Sequence, residues 1–404
     1  MKKIILFIIL VVSFALRVYR LNFPNAYVFD EVYHAFTARE YLKNSAAAWE
    51  WWSTPPKGVA FEWTHPPLVK EIMASSMLIF HTEDAWAWRI PGVILGTLSI
   101  FLVFKIATLL FKNEQVGLLS AFVFSLDGLN LVQSRTGMND IYLVFFTLIS
   151  LLAFLKNKFF ISAVLFGLAI SSKWSAAYIL IVFLIIAIKN KQGLRPRDLK
   201  QVTQLLYFVV VPVLIYLITY TPFFLLGHNF QQFLQLQQQM WWYHTHLVAT
   251  HSYASAWWTW PLNLVPVWYF VEYQKDTIAN IFASGNIVLF ALGIGAIFIS
   301  ILEYMKQKSF SLLITLGCFL AFWLPWAFSP RIMFLYHYNP SVPFLSMVLG
   351  YQLNSLIKNK FVLTGLLLTI VVGFIFIYPF LTGVFLPKNL LNFFFLTNLA
   401  KNPF

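Results

Sequence analysis

Two adjacent carboxylates, Asp30 and Glu31, are the residues of this chain best suited to acid-base chemistry. They follow an apolar run of membrane length, in the segment Val28-Phe29-Asp30-Glu31-Val32. Because removing a charge from water costs free energy, paired acids beside a membrane need a partner or a task. One of them can serve as a general base. Helix capping is the alternative, since an acid at a helix start offsets the dipole.

Cationic side chains recur where other apolar runs end. Arg135 and Lys173 lie in short connections, and Arg331 precedes the segment Phe334-Leu335-Tyr336-His337-Tyr338. Arginine binds phosphate oxygens through its planar fork, and lysine binds them as a point charge. These residues are therefore candidates to bind a phosphate, although Lys173 and Arg331 could equally extend their charges to the membrane surface.

Histidines and aromatic residues mark a possible binding cleft. His65 opens His65-Pro66-Pro67-Leu68, where two prolines fix the backbone and favour a helix start. A later segment contains His251-x-Tyr253-x-Ser255 and then Trp260-Pro261-Leu262. The tryptophans suit an aromatic belt at the membrane surface as well as a sugar face. His244-x-His246 could hold a metal, but no carboxylate follows it closely in the chain.

Several nucleotide and hydrolase signatures are absent from the sequence. It contains no Gly-x-Gly-x-x-Gly segment, P-loop, nucleophile elbow or His-Glu-x-x-His motif. Nucleotide-driven and hydrolase chemistry are therefore not expected.

The elements that must position these residues are transmembrane helices. The chain of 404 residues is 60% hydrophobic and 11% charged, whereas soluble domains carry roughly 25% charged residues. Apolar runs of about 20 residues indicate membrane-spanning helices, and the alternation of barrel strands is missing. Hydropathy predicts eleven helices, near residues 4–20, 86–111, 116–133, 138–155, 159–172, 174–188, 201–221, 285–303, 309–327, 336–356 and 361–380.

The charge pattern predicts a cytoplasmic N-terminus. With that orientation every inside connection carries Lys or Arg, including the run from Lys189 to Lys200, as the positive-inside rule expects. Of the 15 acidic residues, only Glu114, Asp198 and Glu303 fall inside. The net charge of +13 is therefore a topology signal, and nucleic-acid binding is not expected.

The predicted organisation is a single all-α integral membrane domain over residues 1–404. It has two long external loops, 21–85 with the catalytic acids and 222–284, which should hold amphipathic helices lying in the membrane interface. The single cysteine, Cys318, excludes an internal disulfide.

Taken in order, these motifs resemble the protein O-mannosyltransferase family, within the membrane glycosyltransferases of the C-type fold. The resemblance is to short bacterial members that lack a lectin-like domain. The matching pieces are Arg17, Val28-Phe29-Asp30-Glu31-Val32, His65-Pro66-Pro67-Leu68-x-Lys70, Ser134-Arg135 with Asp140, Ser172-Lys173-Trp174, His251-x-Tyr253-x-Ser255, Trp260-Pro261-Leu262 and Phe334-Leu335-Tyr336-His337-Tyr338-x-Pro340.

The resemblance implies transfer of mannose, with inversion, from polyprenyl-phosphate mannose to Ser or Thr hydroxyls of secreted or membrane proteins. The reaction would occur at the external face of a bacterial plasma membrane, without a metal or other cofactor. Asp30 would be the base, and Glu31 would orient Arg17 or other polar groups. Arg135 would bind the donor phosphate, with Arg331, Arg17, Lys173 and His337 as further candidates. The acceptor or sugar cleft would include His65, His251, Tyr253, Trp260 and Tyr336.

Two alternative functions stay open at this point. An enzyme of the same fold could glycosylate a lipid or a cell-wall glycan. A flippase or transporter of lipid-linked sugars is less compatible, because such proteins place ionisable residues at mid-membrane and contain internal repeats. Some family members form dimers, and the sequence does not decide this point.

Overall fold

The computed structural model describes residues 1–189 and 199–397, which are mostly helical. The helices of the first range are α1 (Lys2–Val18), α2 (His34–Leu42), α3 (Leu68–Phe80), α4 (Ala85–Phe111), α5 (Glu114–Ser125), α6 (Gly128–Arg135), α7 (Asp140–Leu155), α8 (Phe159–Ser172) and α9 (Ile179–Lys189). Those of the second range are α10 (Leu199–Thr219), α11 (Thr221–Leu225), α12 (Phe230–His246), α13 (Ile287–Gln307), α14 (Phe310–Trp323), α15 (Val342–Leu356), α16 (Lys360–Leu381) and α17 (Leu390–Thr397). Short 3-10 helices cover Phe29–Val32, Ala46–Trp49, Trp174–Tyr178, Trp257–Thr259, Leu324–Phe328 and Leu335–Ser341.

Each of the eleven predicted apolar segments contains helix, as uncharged runs in lipid require. In the described part of the chain, four stretches are long and apolar enough to cross a membrane: α4, α13, α16 and Phe310–Phe328. A fifth is added if α5 and α6 form one bent span. The count of eleven crossings stays a prediction. Most of the basic run from Lys189 to Lys200 lies outside the described residues.

Helices α5 and α6 form one apolar segment that is bent by 64°. At the break the carboxylate of Asp127 caps α6, accepting the backbone N–H of Asn130 at 2.6 Å. Gly128 lies against the carbonyl oxygen of Ser284, and a Cβ there would come within 2.5 Å of that oxygen. The bend therefore brings the backbone at Gly128 close to that at Ser284. Helix α6 ends at Arg135, which is buried.

A small antiparallel sheet, with two strands in the second long loop and a third that follows α16, contradicts the expectation of an all-α chain. Strand β1 (Val267–Tyr273) pairs with β2 (Thr277–Ala283), and β2 pairs with β3 (Phe385–Pro387). The hairpin joins two runs rich in aromatic and β-branched residues, which suit strands, through the polar turn Gln274-Lys275-Asp276. Sequence analysis missed it because the aromatic residues were assigned to a membrane-surface belt.

The two long loops pack against each other at one end of the helix bundle. Trp49 of the first loop lies 6.2 Å from the ring of Phe223 in the second. Nearby, Nε2 of His228 lies 3.0 Å from a carboxylate oxygen of Glu50. Helix α12 of the second loop is capped by Asn229, whose side chain accepts the N–H of Gln232. This layer encloses the pocket described next.

Candidate active site

A pocket of about 400 Å³ lies where the two long loops meet the segment 331–337. Seven of the twelve residues singled out from the sequence line it, namely Asp30, His65, Lys173, His251, Arg331, Tyr336 and His337. Its walls also contain charged and titratable residues that sequence analysis did not assign to a site, among them His34, Glu62, Asp140 and Tyr243. The structure thus brings residues from six separate stretches of sequence into one cleft.

Asp30 presents its carboxyl group to this pocket from the 3-10 helix Phe29–Val32. The neighbouring Phe29 anchors that helix by stacking on Tyr269 of β1, with ring centroids 4.2 Å apart. No residue in the described ranges donates a hydrogen bond to the carboxyl group of Asp30. Burial first, and then the charge of Glu62, raise the pKa of Asp30 to about 7, although the positive charge of Lys173 opposes both effects. A carboxylate in this range is well matched to act as a base near neutral pH.

Glu31 points away from the pocket and is completely buried. Its two oxygens accept hydrogen bonds from the guanidinium of Arg89 at 2.6 and 2.8 Å and from Nε1 of Trp88 at 3.0 Å. They also accept the backbone N–H groups of Gly137 and Val28, at 2.8 and 2.9 Å. The adjacent acids therefore occupy different environments: Asp30 faces the cleft, and Glu31 joins three parts of the interior.

Two cations line the pocket. Nζ of Lys173 lies 2.9 and 3.0 Å from the carboxylate oxygens of Asp140 and 5.8 Å from the ring centroid of Tyr336. The guanidinium of Arg331 lies 5.5 Å from the ring centroid of Tyr243 and donates to Nδ1 of His244. Because the charge of Lys173 is already paired, Arg331 is the cation with more capacity for an anionic ligand.

The structure does not bring Arg17 and Arg135 into this pocket. Arg17 is buried and donates to the side chains of Ser134 and Asn130 at 3.0 and 3.1 Å, so Glu31 does not orient it. Arg135 donates to the carbonyl oxygen of Tyr19 at 2.7 Å. Its Nη1 is enclosed and has no hydrogen-bond partner in the described part of the chain. The predicted convergence of Asp30 with Arg135 is therefore not observed.

The His65-Pro66-Pro67-Leu68-x-Lys70 motif builds one wall of the pocket. Lys70 is buried, and its Nζ donates to the carbonyl oxygens of Glu62 and His65, both at 2.8 Å. The lysine thus holds the turn that precedes α3 in one shape. Sequence analysis missed Glu62; the only available signal was an acid three residues before His65, close to the proline pair.

The remaining candidates for the cleft fall into two groups. His251 and Tyr336 line the pocket, and the ring of His251 meets that of Phe334 edge-on at 5.2 Å. Trp260 is fully buried, stacks near His337 and donates to Oγ of Ser255 at 3.0 Å. Tyr253 packs against the hydrophobic core instead of lining the pocket. Trp260 can therefore support the cleft without contacting a ligand.

The described residues contain no cluster of three or more His, Cys, Asp or Glu side chains suited to a metal ion. The two imidazole rings of His244-x-His246 contact different parts of the protein. His244 has Nε2 at 2.7 Å from the carbonyl oxygen of Thr64, whereas His246 stacks on Trp242 at the surface. Metal independence itself stays a prediction.

The chain matches two family models along most of its length. Residues 7–226 match the model described as dolichyl-phosphate-mannose-protein mannosyltransferase. Residues 229–394 match the C-terminal four TMM region of protein-O-mannosyltransferase. The resemblance inferred from the motifs is thereby confirmed.

Relatives named as mannosyltransferases cover most of the chain. A polyprenol-phosphate-mannose–protein mannosyltransferase of Mycolicibacterium smegmatis is 23% identical over 444 residues, covering 88% of this chain and 84% of the relative. The protein of the same name from Corynebacterium glutamicum is 25% identical over 378 residues, covering 75% and 72%.

Solved structures share the fold. The S. cerevisiae protein O-mannosyltransferase Pmt1-Pmt2 complex bound to the sugar donor has a TM-score of 0.80 at 14% identity, covering 95% of this chain and 90% of that chain. ArnT from Cupriavidus metallidurans bound to undecaprenyl phosphate has a TM-score of 0.61 at 16% identity, covering 90% and 62%. At these identities the likeness shows the fold alone, and it confirms the expected C-type glycosyltransferase fold.

Proposed function

Because the chain belongs to the dolichyl-phosphate-mannose-protein mannosyltransferase family, we propose that it transfers mannose from polyprenyl-phosphate mannose to a protein. The relatives named above support the donor and the class of acceptor. The observation that carries the proposal is the pocket itself, in which the unpaired carboxyl group of Asp30 and the cations Lys173 and Arg331 share one cleft.

In the proposed reaction, Asp30 takes the proton of a Ser or Thr hydroxyl of the acceptor. The hydroxyl oxygen forms a bond to the anomeric carbon of mannose while the bond from that carbon to the phosphate oxygen breaks. Polyprenyl phosphate leaves with one additional negative charge, which Arg331 and Lys173 stabilise electrostatically. Attack opposite the leaving group inverts the anomeric configuration. Strong acid assistance is unnecessary because phosphate is already a good leaving group.

The proposal places this reaction on the external side of a bacterial plasma membrane. The chain is an integral membrane protein by its family and its long apolar helices. The positive-inside pattern supports a cytoplasmic N-terminus, which puts both long loops and the pocket outside.

The proposed function is tested by incubating purified protein with polyprenyl-phosphate mannose and Ser/Thr-containing peptides, with mass spectrometry as the readout. We expect a mass increase of one hexose on the peptide, at a Ser or Thr residue. The NMR spectrum of the product should show an anomer opposite to that of the donor. Transfer only to added lipid or glycan acceptors would overturn the assignment of a protein acceptor, and movement of donor lipid without a covalent product would indicate a transporter.

We expect the activity to rise with pH through about 7. The pKa of Asp30 is raised from 3.8 to about 7 in the folded protein, so the base is protonated and inactive in mildly acidic solution. The logarithm of kcat/KM should increase with a slope near one below this pKa and level off above it. Steady-state kinetics between pH 5 and 9 would check this, and a flat profile across that range would contradict it.

We expect Arg331→Gln to weaken donor binding. A charge-assisted hydrogen bond contributes about 1.5–3 kcal/mol, so the KM for the donor should rise by about 10- to 100-fold. Arg331 is a better test than Lys173, because removing Lys173 leaves Asp140 buried without its partner. The control is Arg39→Gln, whose side chain is paired with Glu83 near the surface, outside the pocket. An unchanged donor KM in Arg331→Gln would count against the phosphate role.

Chelation of divalent metal should leave the activity unchanged. The chemistry proposed for Asp30, Lys173 and Arg331 supplies a base and positive charge without a metal. Transfer assays with and without EDTA would check this. Loss of activity with EDTA, restored by a divalent cation, would show that a metal is required.

A further inference from the structure

Glu62 is a buried acid in the pocket wall, with only 6% of its surface exposed. Its Oε1 accepts the hydroxyl hydrogen of Thr64 at 2.5 Å and lies 2.9 Å from Nδ1 of His65. Oε2 lies 3.7 Å from Nδ1 of His34. Burying a carboxylate is costly unless hydrogen bonds satisfy it. The contact with His34 is too long for a hydrogen bond, so Glu62 can fix the hydrogen position only on His65.

The contact with Glu62 fixes the tautomer of His65. An ionised carboxylate can only accept hydrogen bonds, so Nδ1 of His65 must carry the hydrogen. Burial lowers the pKa of His65 well below its ordinary value, which keeps the ring neutral. Nε2 then has a lone pair, and no residue in the described ranges donates a hydrogen bond to it. His65 lines the same pocket as Asp30.

The turn that carries both residues is held firmly. Lys70 binds the carbonyl oxygens of Glu62 and His65, and the hydroxyl of Thr37 accepts the backbone N–H of Glu62 at 2.7 Å. The prolines at 66 and 67 restrict the backbone that follows. The imidazole of His65 is therefore preorganised, and ligand binding does not have to order it.

We propose that Glu62 is a positioning residue that presents Nε2 of His65 as a hydrogen-bond acceptor for a hydroxyl group of the bound substrate. The substrate class rests on the proposed function: the hydroxyl belongs either to the mannosyl group or to the Ser/Thr acceptor. Asp30 takes the reacting proton, and His65 neither gains nor loses a proton in this role. If Nε2 of His65 no longer accepts this hydrogen bond, the KM should therefore rise for the substrate that carries the hydroxyl group.

Glu62 also affects Asp30 through its charge. The charged groups that act on Asp30 from the surrounding elements are Glu62 and Asp140, which favour its protonated form, and Lys173 and Arg331, which favour its ionised form. Neutralising Glu62 should therefore make Asp30 easier to ionise. The acidic limb of kcat/KM should therefore move to lower pH.

The kinetic test compares Glu62→Gln and Glu62→Ala in the purified full-length enzyme, varying donor and acceptor peptide separately. Glutamine keeps an oxygen that accepts from Nδ1, so we expect a shifted pH limb with both KM values within about threefold of wild type. Alanine removes both the negative charge and the oxygen that accepts from Nδ1, so the KM for one substrate should also rise by about 3- to 10-fold. A rise in the KM for the donor would identify a mannosyl hydroxyl as the group that binds Nε2 of His65. A rise in the KM for the peptide would identify the Ser/Thr hydroxyl of the acceptor.

The matched control is Glu71→Gln, on α3 and outside the pocket. Both KM values and the pH profile of this variant should match those of the wild type.

Nitrogen-15 NMR of histidine-labelled full-length protein tests the tautomer independently of activity, with His65→Gln used to assign the signal. We expect the Nδ1–H form in wild type and in Glu62→Gln, and a mixture of tautomers in Glu62→Ala. The Nε2–H form in wild type would overturn the inference even if mannose transfer is observed. If Glu62→Gln and Glu62→Ala lost stability equally, with no change in the tautomer, the KM values or the pH profile, the role of Glu62 would be structural only.

Discussion

Asp30→Asn should abolish mannose transfer while the protein remains folded. A general base contributes about 10²- to 10⁴-fold to a rate, and asparagine cannot accept the proton at neutral pH. Folding should be unaffected because the carboxyl group of Asp30 accepts no hydrogen bond from the described residues. Replacing a partly buried acid by a neutral amide of the same shape also removes the cost of desolvating its charge. The measurement is kcat/KM with peptide acceptors at pH 7.5, together with the thermal midpoint of the purified protein.

The control for this prediction is Asp276→Asn, in the exposed turn between β1 and β2. It makes the same chemical change in the same loop layer, far from the pocket lining, and should retain full activity. Near-normal transfer by Asp30→Asn would remove Asp30 as the base. A large fall in the thermal midpoint would mean that the lost activity reflects misfolding, and Asp30→Glu would then show whether a carboxylate at a shifted position restores transfer.

Arg89→Met should have the largest effect on stability of any single change considered for this chain. It leaves the charge of Glu31 buried without its ion-pair partner and removes donors to the carbonyl oxygens of Leu21, Pro24 and Ala26. Removing one partner of a buried pair costs about 3–5 kcal/mol. The yield of folded protein should fall sharply, and the thermal midpoint of any folded fraction in detergent should decrease.

The double variant Glu31→Gln/Arg89→Met should recover part of this loss, because no unpaired charge remains in the interior. The surface pair of Arg39 with Glu83 provides the comparison, since exposed ion pairs contribute about 0–1 kcal/mol. Arg39→Met should therefore change the thermal midpoint only slightly. If Arg89→Met were as stable as Arg39→Met, the buried pair would not be what holds the first loop to α4.

Hydropathy predicted the helical segments well for a physical reason. A run of about 20 apolar residues in lipid can satisfy its backbone only as a helix or barrel strand, so composition alone carries the information. The bend after Ser125 was not predicted, because it depends on capping by Asp127 and on contact between Gly128 and the distant Ser284. The hairpin at 267–283 was missed because the same aromatic residues suit a membrane surface and a strand.

The site was predictable where residue type and chain position were sufficient. Asp30, Lys173 and Arg331 are charged residues in connections that adjoin apolar runs, and one end of a bundle gathers such connections together. The different environments of Asp30 and Glu31 were not predictable, because they depend on the rotation of a 3-10 turn relative to Arg89. The orientation of Arg135 was not predictable for the same reason. Its position at the end of an apolar run does not show whether its side chain points into the pocket or, as observed, toward Tyr19.

The five hydrogen bonds to Glu31 have a consequence for the neighbouring residue. Only one peptide bond separates Glu31 from Asp30, so the backbone of the reacting carboxylate is held by an ion pair in the protein interior. A base fixed in this way needs little reorganisation when charge develops during the reaction, and small reorganisation is a main source of electrostatic catalysis. In the proposed reaction, the second acid of the pair thereby contributes to the rate without approaching the substrate.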